Sequence, residues 1–113
     1  LANLDDIILP ATPSRVDPVW HLYAVRCPHR GELMRLLDAA GVETLIHYPA
    51  PPHLQPAYMS LGYAGGAFPV AESIAKTTLS LPMWPGMTSE QADHVINSVR
   101  HAAVALTHEK QPV

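Results

Sequence analysis

The spacing of apolar and polar positions along the chain predicts alternating strands and helices. Runs rich in β-branched, aromatic or aliphatic residues predict strands at 19–27, 42–46 and 78–81. Apolar residues at helical spacing predict helices near 30–40, 69–77 and 89–106. The strand–helix–strand order indicates a layered α/β or α+β fold.

Signals at the helix ends support these elements. Gly41 follows the first helical pattern, where a residue that takes positive φ ends a helix. A short helix is expected at 55–61, and Pro69 stands at a first-turn position of the next helix. Thr88 and Gln91 have the spacing of a capping box, in which each side chain satisfies a backbone amide of the other residue.

Three parts of the chain are expected to form the core. The 19–27 run is apolar on both faces at its centre, so we expect a central strand with Trp20 and Tyr23 in the core. Residues 79–82 are expected to serve packing rather than chemistry. Cys27 is expected to be a small buried residue, since a catalytic thiol would need a histidine and an orienting group beside it.

Length and composition narrow the class of protein. The 113 residues suffice for one domain, which we divide into a lead-in or linker at 1–17, a core at 18–106 and a frayed tail at 107–113. The net charge is −3 without a basic cluster, which argues against nucleic-acid binding. No apolar run reaches the ~20 residues of a membrane helix. The single cysteine fits a reducing compartment, so we expect a cytoplasmic location.

Two further features suggest that the chain is part of something larger. Charged residues make up only 15% of the sequence, so we expect some of the surface to be covered by another body. The chain also begins with leucine rather than methionine, which we interpret as the start of a trimmed or excised piece.

A stiff loop follows the 42–46 run. His47 and Tyr48 come directly after it, and prolines at 49, 51 and 52 restrict the chain beyond them. Because proline lacks an amide hydrogen and has a fixed φ, we expect neither strand nor helix there. Such a loop can hold an imidazole and a phenol rigidly for ligand contacts. It also fits a structural turn with surface histidines, and spacing alone leaves both interpretations open.

Other candidate chemistry lacks a complete set of residues. The histidines at 47 and 53, and those at 94, 101 and 108, lack the cysteine or carboxylate companions of a zinc site, so we expect no metal site. Lys76 and Lys110 do not stand where a buried Schiff-base amine is expected. Arg26 ends a strand, where it could face solvent or an anion. We therefore expect no catalytic or cofactor-binding residue in this chain.

Several sequence blocks, in this order and spacing, resemble one protein family. They are WHLYAVR at 20–26, AGV at 40–42, HYP at 47–49, HLQPAY at 53–58, FPVAE at 68–72, LSLPMWP at 79–85 and the helix that Thr88 begins. Over about residues 19–100 the chain resembles the C-terminal domain of the DegT/StrS family of nucleotide-sugar aminotransferases. These are fold-type I enzymes that depend on pyridoxal phosphate.

The resemblance implies a fold and a role. It implies an α+β, two-layer domain with a small, mainly antiparallel sheet of at least three strands, covered mainly on one face by helices. The upstream large domain, absent here, would carry pyridoxal phosphate and its lysine, and the full-length enzyme would be a homodimer. This chain would help to close the cleft, with His47, Tyr48 and His53 as substrate-binding residues.

The resemblance also implies an activity for the parent enzyme. It would transfer an amino group, from glutamate or glutamine, to a keto-sugar nucleotide in polysaccharide, lipopolysaccharide or antibiotic sugar biosynthesis. The isolated chain, without the lysine, would bind no cofactor and be inactive. The alternative is a standalone ligand-binding or protein-interaction module with the same fold and no catalysis.

Overall fold

The computed structural model describes residues 1–108 of the chain. Its elements in chain order are strand β1 (Tyr23–Arg26), helix α1 (Arg30–Ala39), two 3₁₀ helices (Pro52–Leu54 and Pro56–Leu61), helix α2 (Pro69–Thr77), strand β2 (Thr78–Leu81) and helix α3 (Ser89–His108). The three predicted α-helices and the strand at 78–81 are confirmed.

The 3₁₀ helix at Pro52–Leu54 corrects the prediction that the proline-rich loop lacks helical structure. Of the tail predicted to fray, residues 107 and 108 are helical and 109–113 lie outside the described residues.

The sheet is antiparallel and small. β1 pairs with β2 from Tyr23 opposite Leu81 to Arg26 opposite Thr78. Single bridges extend each outer edge, from Ile8 to Arg26 and from Leu45 to Ser80. The predicted fold class is confirmed, but the strand count is wrong, because residues 1–108 contain two strands and two isolated bridges rather than three strands.

The first strand is shorter than predicted. Its pairing with β2 ends where Tyr23 lies opposite Leu81, the last residue of β2. Residues 19–22 lie outside the sheet, and Val19 is 99% exposed. Trp20 is 41% exposed, so its predicted place in the core is wrong. Tyr23 is half-buried and packs against the core.

The 42–46 run forms no strand because its two ends serve different elements. Gly41 has a φ of 73°, and the Val42 amide donates to the Leu37 carbonyl at 2.9 Å, so Val42 completes the end of α1. Only Leu45 reaches β2, where its carbonyl accepts from the Ser80 amide at 2.8 Å. The strand predicted at 42–46 is therefore reduced to one bridge that sets the position of the following loop.

The core lies between one sheet face and two helices. It contains Val25, Cys27, Leu79 and Leu81 from the strands and their ends, Leu33 and Leu37 from α1, and Val95, Val99, Ala102, Ala103 and Leu106 from α3. Cys27 is fully buried, as predicted. Ile7, from the segment before β1, also belongs to this cluster.

Helices α2 and α3 are fixed by specific polar contacts. The Thr88 amide donates to Gln91 Oε1 at 3.0 Å and the Gln91 amide to Thr88 Oγ1 at 3.2 Å, which confirms the capping box. Arg26, on the sheet face opposite Val25, donates to the hydroxyls of Thr77 and Ser73 on α2. These two contacts join the end of α2 to β1.

Candidate functional site

His47 lies just beyond the bridge between Leu45 and Ser80. Its ring nitrogen Nδ1 is 3.0 Å from the Ser80 hydroxyl, and its side chain is half-buried. Tyr48 is 68% exposed, and its ring meets the His47 ring edge-on at 5.6 Å between centroids. The loop thus presents a phenol to its surroundings beside an imidazole that is hydrogen-bonded to the sheet.

An open hollow of about 740 Å³ adjoins His47. Its wall includes Leu45 and Trp84, and Glu43, Glu90 and His94 also contribute to it. The His94 ring nitrogen Nε2 is 3.0 Å from the Ala40 carbonyl, which joins α3 to the end of α1. The hollow combines apolar and aromatic surface with a few hydrogen-bonding groups, a combination that is typical of small-molecule sites.

The chain after Tyr48 is held by a series of short-range hydrogen bonds. The Leu54 amide donates to the Pro51 carbonyl at 3.0 Å, and the Gln55 side chain donates to the Ala50 carbonyl at 3.2 Å. Pro52 occupies the first turn of the 3₁₀ helix, where the missing amide of proline costs no hydrogen bond. These contacts and the fixed φ of proline hold His47 and Tyr48 on a stiff support.

His53 is in a different environment from His47. It is 8% exposed, and its Nε2 is 3.0 Å from a carboxylate oxygen of Glu72 on α2. Its ring meets Phe68 edge-on at 4.8 Å between centroids. His53 also lines a second, apolar hollow of about 330 Å³ beside Tyr58, Tyr63 and Phe68. The structure therefore does not bring His53 together with His47 and Tyr48.

Glu72 joins three separate parts of the chain. Besides His53, its carboxylate accepts from the Gly66 amide at 2.8 Å and 3.0 Å and from the Phe68 amide at 3.4 Å. Partial burial opposes ionisation of Glu72, but the hydrogen bonds from Gly66, His53 and Phe68 outweigh it and hold the pKa of this carboxyl below its ordinary value of 4.5. The ionised carboxylate fixes the turn that precedes α2.

Many large apolar side chains in this part of the sequence are exposed. Nine of them lie between residues 48 and 74: Tyr48, Leu54, Tyr58, Met59, Leu61, Tyr63, Phe68, Val70 and Ile74. Their exposure agrees with the low charged fraction of the sequence.

The remaining candidate residues have ordinary structural roles. Arg26 binds two hydroxyls of α2 rather than pointing into solvent. Among residues 1–108 no group of three histidine, cysteine or acidic side chains could hold a metal ion. In the same part of the chain, no helix is both long enough and apolar enough to span a membrane. The partners Ser80 and Glu72 were not predicted as site residues, although both stand inside blocks that resemble the aminotransferase family.

Comparison with known proteins defines the class. The model of the DegT/DnrJ/EryC1/StrS aminotransferase family matches residues 1–100, so this chain belongs to that family. The resemblance of its sequence blocks is thereby confirmed.

Two curated relatives and one solved structure show what the chain is similar to. It is 50% identical over 103 residues to the erythromycin biosynthesis sensory transduction protein EryC1 of Saccharopolyspora erythraea, covering 91% of this chain and 28% of that protein. It is also 50% identical to the dTDP-3-amino-3,4,6-trideoxy-alpha-D-glucose transaminase of Streptomyces venezuelae, covering 91% of this chain and 27% of the enzyme. The crystal structure of S. venezuelae DesV in complex with a ketimine intermediate superposes with a TM-score of 0.86 at 49% identity, over 90% of this chain and 28% of DesV.

The alignments also show how much of each relative the chain covers. The chain spans little more than a quarter of the length of the curated relatives that it matches. Its fold is therefore that of one part of DesV, which it covers to 28%.

Proposed function

We propose that this chain is the small C-terminal domain, residues 1–113, of a pyridoxal-phosphate-dependent sugar aminotransferase. The enzyme would act as a cytoplasmic homodimer and transfer an amino group from glutamate or glutamine to a keto-sugar nucleotide. The observation that carries the proposal is the match to DesV, at 49% identity and a TM-score of 0.86 over 90% of the chain. The ketimine in that structure and the family membership support pyridoxal phosphate as the cofactor of the whole enzyme.

The described residues of this chain do not by themselves fit the cofactor. Pyridoxal phosphate needs a lysine for its Schiff base and groups that hold its phosphate. Lys76 is exposed on α2 and lines neither of the two hollows described above. Lys110 lies outside the described residues. We therefore assign the cofactor and the chemical step to a large domain elsewhere in the enzyme, and to this chain the closing of the substrate cleft.

The substrate contacts that we assign to this chain are His47 and Tyr48. An imidazole can donate a hydrogen bond to a phosphate or sugar oxygen, and an exposed phenol can stack on a ring or donate as well. Their stiff support favours this role, since ligand contacts need fixed geometry. His53, also expected to bind substrate, is engaged by Glu72. We propose that His53 serves the substrate by holding the loop that carries the other two residues.

The test is the His47→Ala variant in the full-length enzyme that contains this chain. Loss of one hydrogen bond to a charged group, worth about 1.5–3 kcal/mol, should raise the KM for the nucleotide sugar roughly 10- to 150-fold. His101→Ala, which removes an exposed histidine on α3, is the matched control and should leave KM unchanged.

The same variant in the 113-residue chain separates function from folding. Removing His47 leaves the buried Ser80 hydroxyl without its partner, so we expect a loss of about 1 kcal/mol in the free energy of unfolding. If His47→Ala unfolds the chain, and the enzyme that survives keeps its KM, then His47 is a structural residue and the proposed substrate contact is wrong.

A further inference from the structure

We propose that Ser80 is a positioning residue that orients the His47 ring and sets its tautomer, so that the neutral ring carries its proton on Nε2 and donates from it. The inference rests on the proposed function, in which His47 contacts the substrate. It deepens that proposal by stating what His47 can recognise, namely an oxygen that accepts a hydrogen bond.

Ser80 is held in place from two sides. It lies in β2, where it is opposite Ala24 of β1, and its amide donates to the Leu45 carbonyl at 2.8 Å. Only 5% of Ser80 is exposed. Its hydroxyl therefore has a fixed position, and the His47 ring nitrogen Nδ1 lies 3.0 Å from it. The sheet thus sets the orientation of the His47 ring.

The direction of this hydrogen bond follows from the partners of Ser80. A serine hydroxyl has one hydrogen to donate, and in residues 1–108 its one hydrogen-bond partner is His47 Nδ1. If Nδ1 carried a proton and donated to Ser80, the hydrogen of this 5%-exposed serine would have no acceptor among residues 1–108, which is unfavourable. The hydroxyl therefore donates to Nδ1, and the proton of the neutral ring is on Nε2.

This arrangement determines what His47 can bind. With Nδ1 occupied, Nε2–H is the available polar edge of the ring, and it can only donate. The matching ligand group is an acceptor oxygen of a phosphate or of the sugar.

The first experiment determines which ring nitrogen of His47 carries the proton in the 113-residue chain. Nitrogen-15 NMR at a pH where imidazoles are neutral distinguishes a protonated from an unprotonated ring nitrogen, and the His47→Gln spectrum identifies the His47 signals. We expect protonated Nε2 and a hydrogen-bonded, unprotonated Nδ1. Ser80→Ala should shift Nδ1 to the position of a nitrogen without a hydrogen bond, and Ser80→Thr should restore the wild-type shift.

Thr78→Val is the control, because it removes another buried hydroxyl from the same face of β2 and should leave the His47 signals in place. A proton on Nδ1 in the wild-type chain, or identical Nδ1 shifts in wild type and Ser80→Ala, would overturn the inference. The wild-type measurement decides the proton position even if Ser80→Ala does not fold.

The second experiment separates positioning from general structural damage in the full-length enzyme. Ser80→Ala should raise the KM for the nucleotide sugar roughly 3- to 10-fold with little change in kcat. In a His47→Ala background, Ser80→Ala should have no further effect, because both changes remove the same contact.

The outcomes distinguish the two proposals. If His47→Ala raises KM but Ser80→Ala raises it equally in both backgrounds, or in neither, Ser80 does not act through His47 and this inference fails alone. If His47→Ala leaves KM unchanged, the proposed substrate contact fails, and the positioning role of Ser80 fails with it.

Discussion

Replacing Leu37 with alanine tests whether the packing between α1, α3 and the sheet stabilises this domain. Its side chain is 0% exposed within the main core, whereas the adjacent Leu36 is only half-buried. Leucine-to-alanine changes in enclosed cores cost about 2.7–5.0 kcal/mol, because a cavity is left in addition to the lost apolar burial. Leu37→Ala should therefore lower the free energy of unfolding by about 3–4 kcal/mol. Leu36→Ala, the matched control on the same helix, should lower it by about 1 kcal/mol.

Urea unfolding followed by circular dichroism measures both values. A domain of this size has a total stability of about 5–15 kcal/mol, so both variants should remain folded at zero denaturant. The slope of the free energy with urea should stay the same, since the surface exposed on unfolding hardly changes. Equal losses for the two variants, or a loss below about 1 kcal/mol for Leu37→Ala, would show that α1 does not pack as described.

Two further predictions concern polar contacts at the helix starts. Thr88→Ala should destabilise the chain by about 1 kcal/mol in thermal or urea unfolding, because it removes half of the capping box of α3; an unchanged midpoint would mean that the cap is not formed in solution. Glu72→Gln should lower stability at neutral pH but not in acid. Because the pKa of Glu72 is below 4.5 in the folded chain, its contribution is complete above pH 4.5 and lost as the pH falls through the folded value. Urea midpoints across this range should converge for wild type and variant, and a constant gap would contradict the assignment.

Local pattern was enough to predict the helices, because their signals lie within the segments themselves. The capping box of Thr88 and Gln91 and the glycine after α1 both act over a few residues. The lengths of the strands depend on residues elsewhere in the chain, so the pattern within one segment does not predict them. The pattern of residues 19–22 predicts strand, yet β2 ends at Leu81 opposite Tyr23, and only the register reveals this.

The candidate site was likewise predictable only where its signals lie within one segment. The loop with His47 and Tyr48 stands out because prolines follow it directly. Ser80 and Glu72 did not stand out, because they lie 33 and 19 residues from the histidines that they contact. A hydrogen bond across such a separation depends on tertiary packing, which a pattern in one segment does not contain.

The contacts of Glu72 make the segment between His53 and Gly66 a closed loop. Both ends of that loop meet at one carboxylate, while its middle, from the 3₁₀ helix Pro56–Leu61 onward, is exposed. Doubling the length of a flexible loop costs only about 0.6 kcal/mol in closure entropy. A longer middle would therefore add little closure cost while both ends stay joined at Glu72. The hydrogen bond between His47 and Ser80 lies outside this loop, so a change of loop length leaves that contact in place.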